Sequence, residues 1–174
     1  GNIHQVRDDL SLAEEAYKKA LALDPEDGRP YFNLGRCSAK QSRLSEAKQY
    51  YLEAVSRDSG FAQAHANLGY CYLLERNLHL AISEITRAHE LGFSTARTFL
   101  NLSFAYHRKG LFPQALDAAK MSYDRDPALA QTHAHLTVLY LKLGDISSAR
   151  EHAVLAQEKG IKLKPDILVK IKQD

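Results

Sequence analysis

An all-α solenoid of antiparallel helix pairs is the fold this sequence predicts, and three observations predict it. The tripeptide Asn33-Leu34-Gly35 returns as Asn67-Leu68-Gly69, as Asn101-Leu102-Ser103 and, more weakly, as His135-Leu136-Thr137, each copy 34 residues after the last. Two further series keep that period without insertion: Ala13, Ala47, Ala81, Ala115, Ala149 and Ala20, Ala54, Ala88, Ser122, Ala156. The composition, 45% hydrophobic and 25% charged with nine glycines and five prolines in 174 residues, is that of a globular chain with room for long helices. A fixed period of this length marks a repeat array, in which each unit has an apolar face that only its neighbour covers.

The elements follow in chain order. Residues 1–27 read as a partial repeat, mainly its second helix. Counting back 34 from Gly35 lands on Gly1, so the expectation is a piece of a longer array that begins inside an earlier first helix. Full repeats are expected over 28–61, 62–95, 96–129 and 130–163. Within each, Tyr31, Leu34, Cys37/Ser38 and Gln41, then Leu68, Cys71 and Tyr72, then Leu102, Ala105 and Tyr106 carry the i, i+3, i+4 spacing of a first helix. Gly110 and Gly144 stop it where a left-handed residue is easiest. The second helix carries Ala115, Ala118 and Ala119, or Ala149, Ala153 and Ala156; Asp24-Pro25 and Asp126-Pro127 end it. Residues 164–174 read as a capping helix from Pro165, with Leu168 and Ile171 covering the last repeat and Lys170, Lys172 and Gln173 toward water.

These residues resemble the tetratricopeptide repeat family, a 34-residue helix–turn–helix with the pattern W-x2-L-G-x2-Y, A-x3-F, P. Repeat 62–95 shows His65, Leu68, Gly69, Tyr72, Ala81, Ile85 and Ala88 at those places, and repeat 96–129 shows Phe99, Leu102, Ser103, Tyr106, Ala115 and Pro127. Repeat 28–61 has Tyr31, Leu34, Gly35, Ala47, Tyr51 and Ala54; repeat 130–163 has Leu136, Tyr140, Ala149, Ala153 and Ala156. Departures are the absent tryptophan, Ser38 for tyrosine, and Ser59, Phe93 and Ile161 for proline, the last two after Gly92 and Gly160. The resemblance covers essentially the whole chain and implies a right-handed superhelix whose first helices line a concave groove.

Several chemistries find no support. No apolar run is long enough to span a membrane, and no phosphate loop, G-x-S-x-G or H-E-x-x-H occurs. A net charge of +2 falls short of a strongly basic nucleic-acid binder. Cys37 and Cys71 occupy equivalent places 34 apart. Stacked helices hold such positions farther apart than a disulfide allows, so two free, packed thiols are expected, which suits a cytoplasmic setting. None of the eight histidines pairs at i, i+4, and His65 and His133 take the family's large-aromatic place. The expectation is a protein without catalytic residues, metal or cofactor.

Function is therefore expected in the groove. The resemblance assigns to it Arg29, Arg36, Lys40, Arg97, Arg108 and Lys142, and no Asp or Glu, so acidic partners would be drawn in. Asn33, Asn67 and Asn101, continued by His135, form a ladder of side chains at one pitch. An amide offers a donor and an acceptor, which matches an extended peptide's main chain. Packing amides common to the family are the other reading of the ladder. Tyr70 and Phe104 would supply apolar pockets. The ladder resembles that of O-GlcNAc transferase. The carboxylate clamp of chaperone-binding members is matched only in part, by Asn67 and Arg97 in one frame and by Asn2 and Asn33 in another. The expected function is a non-enzymatic protein-interaction scaffold that binds an extended, acidic peptide. The alternatives are the substrate-recruiting arm of a larger, O-GlcNAc-transferase-like enzyme, or a bacterial pilus or secretion assembly factor, periplasmic if lipid-anchored.

Overall fold

Alanines at the inner positions decide how closely these helices approach. In the computed structural model, which describes the backbone of residues 2–172 and the side chains of residues 9–172, Ala47, Ala54, Ala81, Ala88, Ala115, Ala149 and Ala156 are all fully buried. Gly1, Gln173 and the side chain of Asn2 lie outside the described residues. Ten helices follow one another among the described residues: α1 (Asn2–Leu23), α2 (Gly28–Lys40), α3 (Leu44–Arg57), α4 (Ala62–Leu74), α5 (Leu78–Glu90), α6 (Ala96–Arg108), α7 (Phe112–Arg125), α8 (Ala130–Leu143), α9 (Ile146–Glu158) and α10 (Pro165–Lys170).

Two compact units divide the chain, Gly1–Phe93 and Ser94–Asp174. In the first, α1 lies on α2, and α2 through α5 pack each on the next. In the second, α6 through α9 do the same, and α10 is tied to α9 by Arg150, whose Nε donates to the Ile171 carbonyl. Large residues fill the space between the alanines: Leu34, Leu68 and Leu136 of the recurring tripeptide, with Tyr51, Ile85 and Phe99, are buried. Cys37 and Cys71 are free thiols buried among them.

The turns recur with the same period. Each first helix ends in a left-handed residue: Ser42 (φ 61°), Arg76 (φ 62°), Gly110 (φ 78°) and Gly144 (φ 83°). The second helices end in two ways. Gly92 and Gly160 turn left-handed, and the next residues, Phe93 and Ile161, donate back to the Ala88 and Ala156 carbonyls at 2.9 Å. After α3 and α7, Asp58 and Asp126 leave in extended conformation, their carboxylates accepting from the Gly60 N–H at 2.8 Å and the Ala128 N–H at 2.9 Å. An aspartate side chain thus replaces the left-handed residue by imitating a backbone turn.

Candidate functional site

In the first unit the candidate surface is built on α2 and α4. Asp27 caps α2 by accepting the Arg29 N–H at 2.9 Å, and the same carboxylate takes Arg29 Nε at 2.9 Å and Nη2 at 2.8 Å. Those bonds hold the Asp27 carboxyl below its usual range. Arg29, 80% exposed, is therefore already neutralised by a neighbour two residues back, which its place in the repeat does not reveal. Arg36 is exposed and has no carboxylate within ion-pair reach among the described residues. Its guanidinium lies 5.8 Å from the Phe32 ring, with Nη1 3.5 Å from Asn33 Oδ1. Phe32 is half-buried against Phe61, with ring centres 4.7 Å apart.

Asn33 and Asn67 are both half-buried at the same place in successive repeats. Asn67 hydrogen-bonds the phenol of Tyr51, whose pKa burial drives upward. Tyr70, 43% exposed, and Leu74 one turn later form an exposed apolar edge on α4.

The second unit repeats the arrangement on α6 and α8 with different chemistry. Arg97 stands exposed at the edge of a shallow concavity lined by Ser94, Thr95, Ala96, Arg125, Asp126 and Leu129. Arg125 donates to the Ser94 carbonyl and covers the Phe99 ring at 5.4 Å. Asn101 is half-buried and Arg108 exposed. Phe104 is half-buried, its ring 4.2 Å from that of His135.

His135 stands in the register of the asparagines but is only 5% exposed, and its Nε2 has no partner among the described residues. Burial pushes its pKa down to about 3; nearby His107 adds to this, and a hydrogen bond with the Ser103 backbone opposes it. His107, with its ring 5.2 Å away, is held low by burial and by Lys142 and Arg108. Both imidazoles are neutral at neutral pH, so the positive charge of this face comes from Arg97, Arg108 and Lys142. Repeat register places Tyr51 and His107 but not what they do to their neighbours, and it does not mark Asp27, which shapes the surface from outside the helix. Asp27 leaves a different sequence signal, as an acid directly before a helix.

Residues 1–60 and 39–92 match a model of the tetratricopeptide repeat. No curated protein matches the chain in sequence. Among solved structures, PilF of Pseudomonas aeruginosa is similar with a TM-score of 0.82 at 19% identity, over 96% of this chain and 76% of that one. A crystal structure of MamA gives 0.78 at 23% identity, over 89% and 91%. YrrB, described as a TPR protein with an unusual peptide-binding site, gives 0.77 at 20% identity, over 84% and 76%. At such identities the likeness is one of fold. The repeat model covers more than half of the sequence, and helix pairs pack consecutively as in a TPR solenoid. The chain belongs to the tetratricopeptide repeat family, and its fold is that of a protein-interaction scaffold.

Proposed function

We propose that the chain is a non-enzymatic scaffold that binds an extended, acidic protein segment along its first-helix faces, α2 and α4 in one unit and α6 and α8 in the other. The observation that carries this reading is that successive first helices present Asn33 with Arg36, which has no carboxylate within ion-pair reach among the described residues, and Asn67 with the exposed Tyr70 and Leu74. Amides hold a main chain, a guanidinium without a local counter-ion takes a carboxylate, and the apolar edge selects side chains. Asn101 offers an amide and Arg97 and Arg108 positive charge in the second unit, and the peptide-binding site of YrrB supports the reading by analogy of fold. A cytoplasmic location belongs to this proposal, with the free thiols as its support.

A random peptide library displayed against the chain tests it. Selected peptides should be rich in Asp and Glu, and their affinity should fall steeply with salt, because exposed charges are screened over about 8–10 Å. Asn67→Ala/Asn101→Ala should lose them while Tyr51→Phe, which removes only the packing partner of Asn67, retains them. Selection of neutral peptides, or equal binding by Asn67→Ala/Asn101→Ala, would refute the reading.

A further inference from the structure

The two units hold their buried histidines in opposite ways. In the second unit, His133 is 1% exposed; its Nε2–H donates to the Pro127 carbonyl at 2.8 Å. That leaves Nδ1 as a lone pair, which accepts an N–H from His152 Nδ1 at 3.0 Å. Tyr140 stacks on His152 at 5.6 Å, and Tyr123 meets the edges of both rings at 5.5 and 5.8 Å. A further proton on His133 Nδ1 sets two N–H groups against each other, whereas one on His152 enters at Nε2 and leaves the bond between the rings in place. Glu151, the one acid acting on His152, takes no hydrogen bond from the pair.

Two periods earlier the same site is built differently. His65 Nε2 faces the Ser59 carbonyl at 3.1 Å, but its Nδ1 faces the Glu84 carboxylate at 2.6 Å. Residues 59, 65 and 84 stand 68 residues before 127, 133 and 152, so Glu84 and His152 are equivalents. A doubly protonated His65 has an acceptor at each nitrogen; a doubly protonated His133 does not. His135 adds a second unmatched ring, buried between Phe104 and His107, where it takes the place that Asn33, Asn67 and Asn101 hold elsewhere.

We propose that the second unit is an acid-sensitive element: proton uptake by His135, whose buried Nε2 has no acceptor among the described residues, and by His152 loosens α8 from α6 and α9, while the first unit stays closed. The groups around these rings all push the same way except Glu151 and the Ser103 backbone. Burial lowers His152, His107 and His135; His133 presses on His152, and Lys142 and Arg108 press on His107. A ring that resists protonation only when packed favours the opened state below the ordinary imidazole range. With His135 at about 3 when closed and near its ordinary 6.5 when open, that ring alone shifts the opening equilibrium by about 30-fold at pH 5. On the binding reading above, a segment held by α6 and α8 would be released on acidification. That consequence depends on the binding reading, whereas the opening does not.

Amide hydrogen exchange of the whole chain from pH 7.5 to 4.5, each peptide normalised to its unfolded rate at that pH, reads the opening without any partner. Peptides from α6 to α9 should lose protection below about pH 6, by 30-fold or more at pH 5, while those from α2 to α5 keep theirs. His152→Glu with His135→Asn installs the glutamate of repeat 62–95 and the asparagine of the other three repeats, and should flatten the profile. Equal loss in both units, or a profile in the double variant that superimposes on the parent, would overturn the proposal. Should that variant not fold, histidine ring titration by NMR in the parent decides. His135 and His152 titrating below free imidazole supports the proposal, and titration at the free value refutes it.

Discussion

Tyr51 lies flat against the backbone of Gly35: a Cβ at Gly35 would stand 2.6 Å from the ring's Cε1 and 2.8 Å from its Cδ1. One period later, a Cβ at Gly69 would stand 2.6 Å from Ile85 Cγ1. In the next two repeats the glycine place is taken by Ser103 and Thr137, and the facing register by Ala119 and Ala153. Bulk on one helix is thus matched by its absence on the other. Gly35→Ala should destabilise by about 1–3 kcal/mol through overpacking, although alanine is the better helix former. Gly69→Ala should cost as much, and Ile85→Ala in that background should recover part of it. Only part returns, because the Ala81 carbonyl and Ile85 N–H stay within about 3.2 Å. Urea midpoints of the four proteins give the coupling energy; additive costs would contradict the pairing.

Ser42 and Arg76 hold the left-handed turn that Gly110 and Gly144 hold in the second unit. A left-handed residue with a side chain costs on the order of 1 kcal/mol more than glycine. Arg76→Gly should therefore stabilise by about 0.5–1 kcal/mol in chemical denaturation, the unfolded-state entropy of glycine offsetting some of the gain.

Ser122 is the one break in its alanine series, and the reason is Thr132. Their hydroxyls meet at 2.8 Å, both fully buried. Ser122→Ala should cost about 1–2 kcal/mol by stranding the Thr132 hydroxyl, and Thr132→Val on top should return much of it. Thermal melts of the single and double variants check the sign.

Burial pushes the Cys71 thiol up to about 11 and raises Cys37 as well. Since the thiolate is the reactive form, both should resist a soluble disulfide reagent in the folded chain at pH 8. Both should react together in urea, with a rate that follows unfolding. Fast labelling of either thiol without denaturant would contradict their place in the core.

How far these features were legible in the sequence follows from what repeats. The helix pairs, the buried alanines and Leu34, Leu68 and Leu136 stand out because several copies in one register reinforce each other. What differs between copies is silent. Ser42 and Arg76 carry no signal for a left-handed turn, and only the glycines at the same place hint at it. The site was half legible: the register puts Arg36, Tyr70 and Asn67 on first helices. It does not show that Asp27 occupies Arg29, that Asn67 serves Tyr51, or that His135 sinks beneath Phe104. Those depend on side-chain reach across helices, which periodicity does not encode.

The central claim is that the first-helix faces receive an extended acidic segment. Hydrogen-exchange footprinting with a library-selected acidic peptide at low salt tests it most directly. The account predicts protection confined to α2, α4, α6 and α8, lost on Arg36→Glu and in high salt but unchanged by Arg29→Ala. Protection centred on α3, α5, α7 or α9, or binding indifferent to both salt and Arg36, would contradict it.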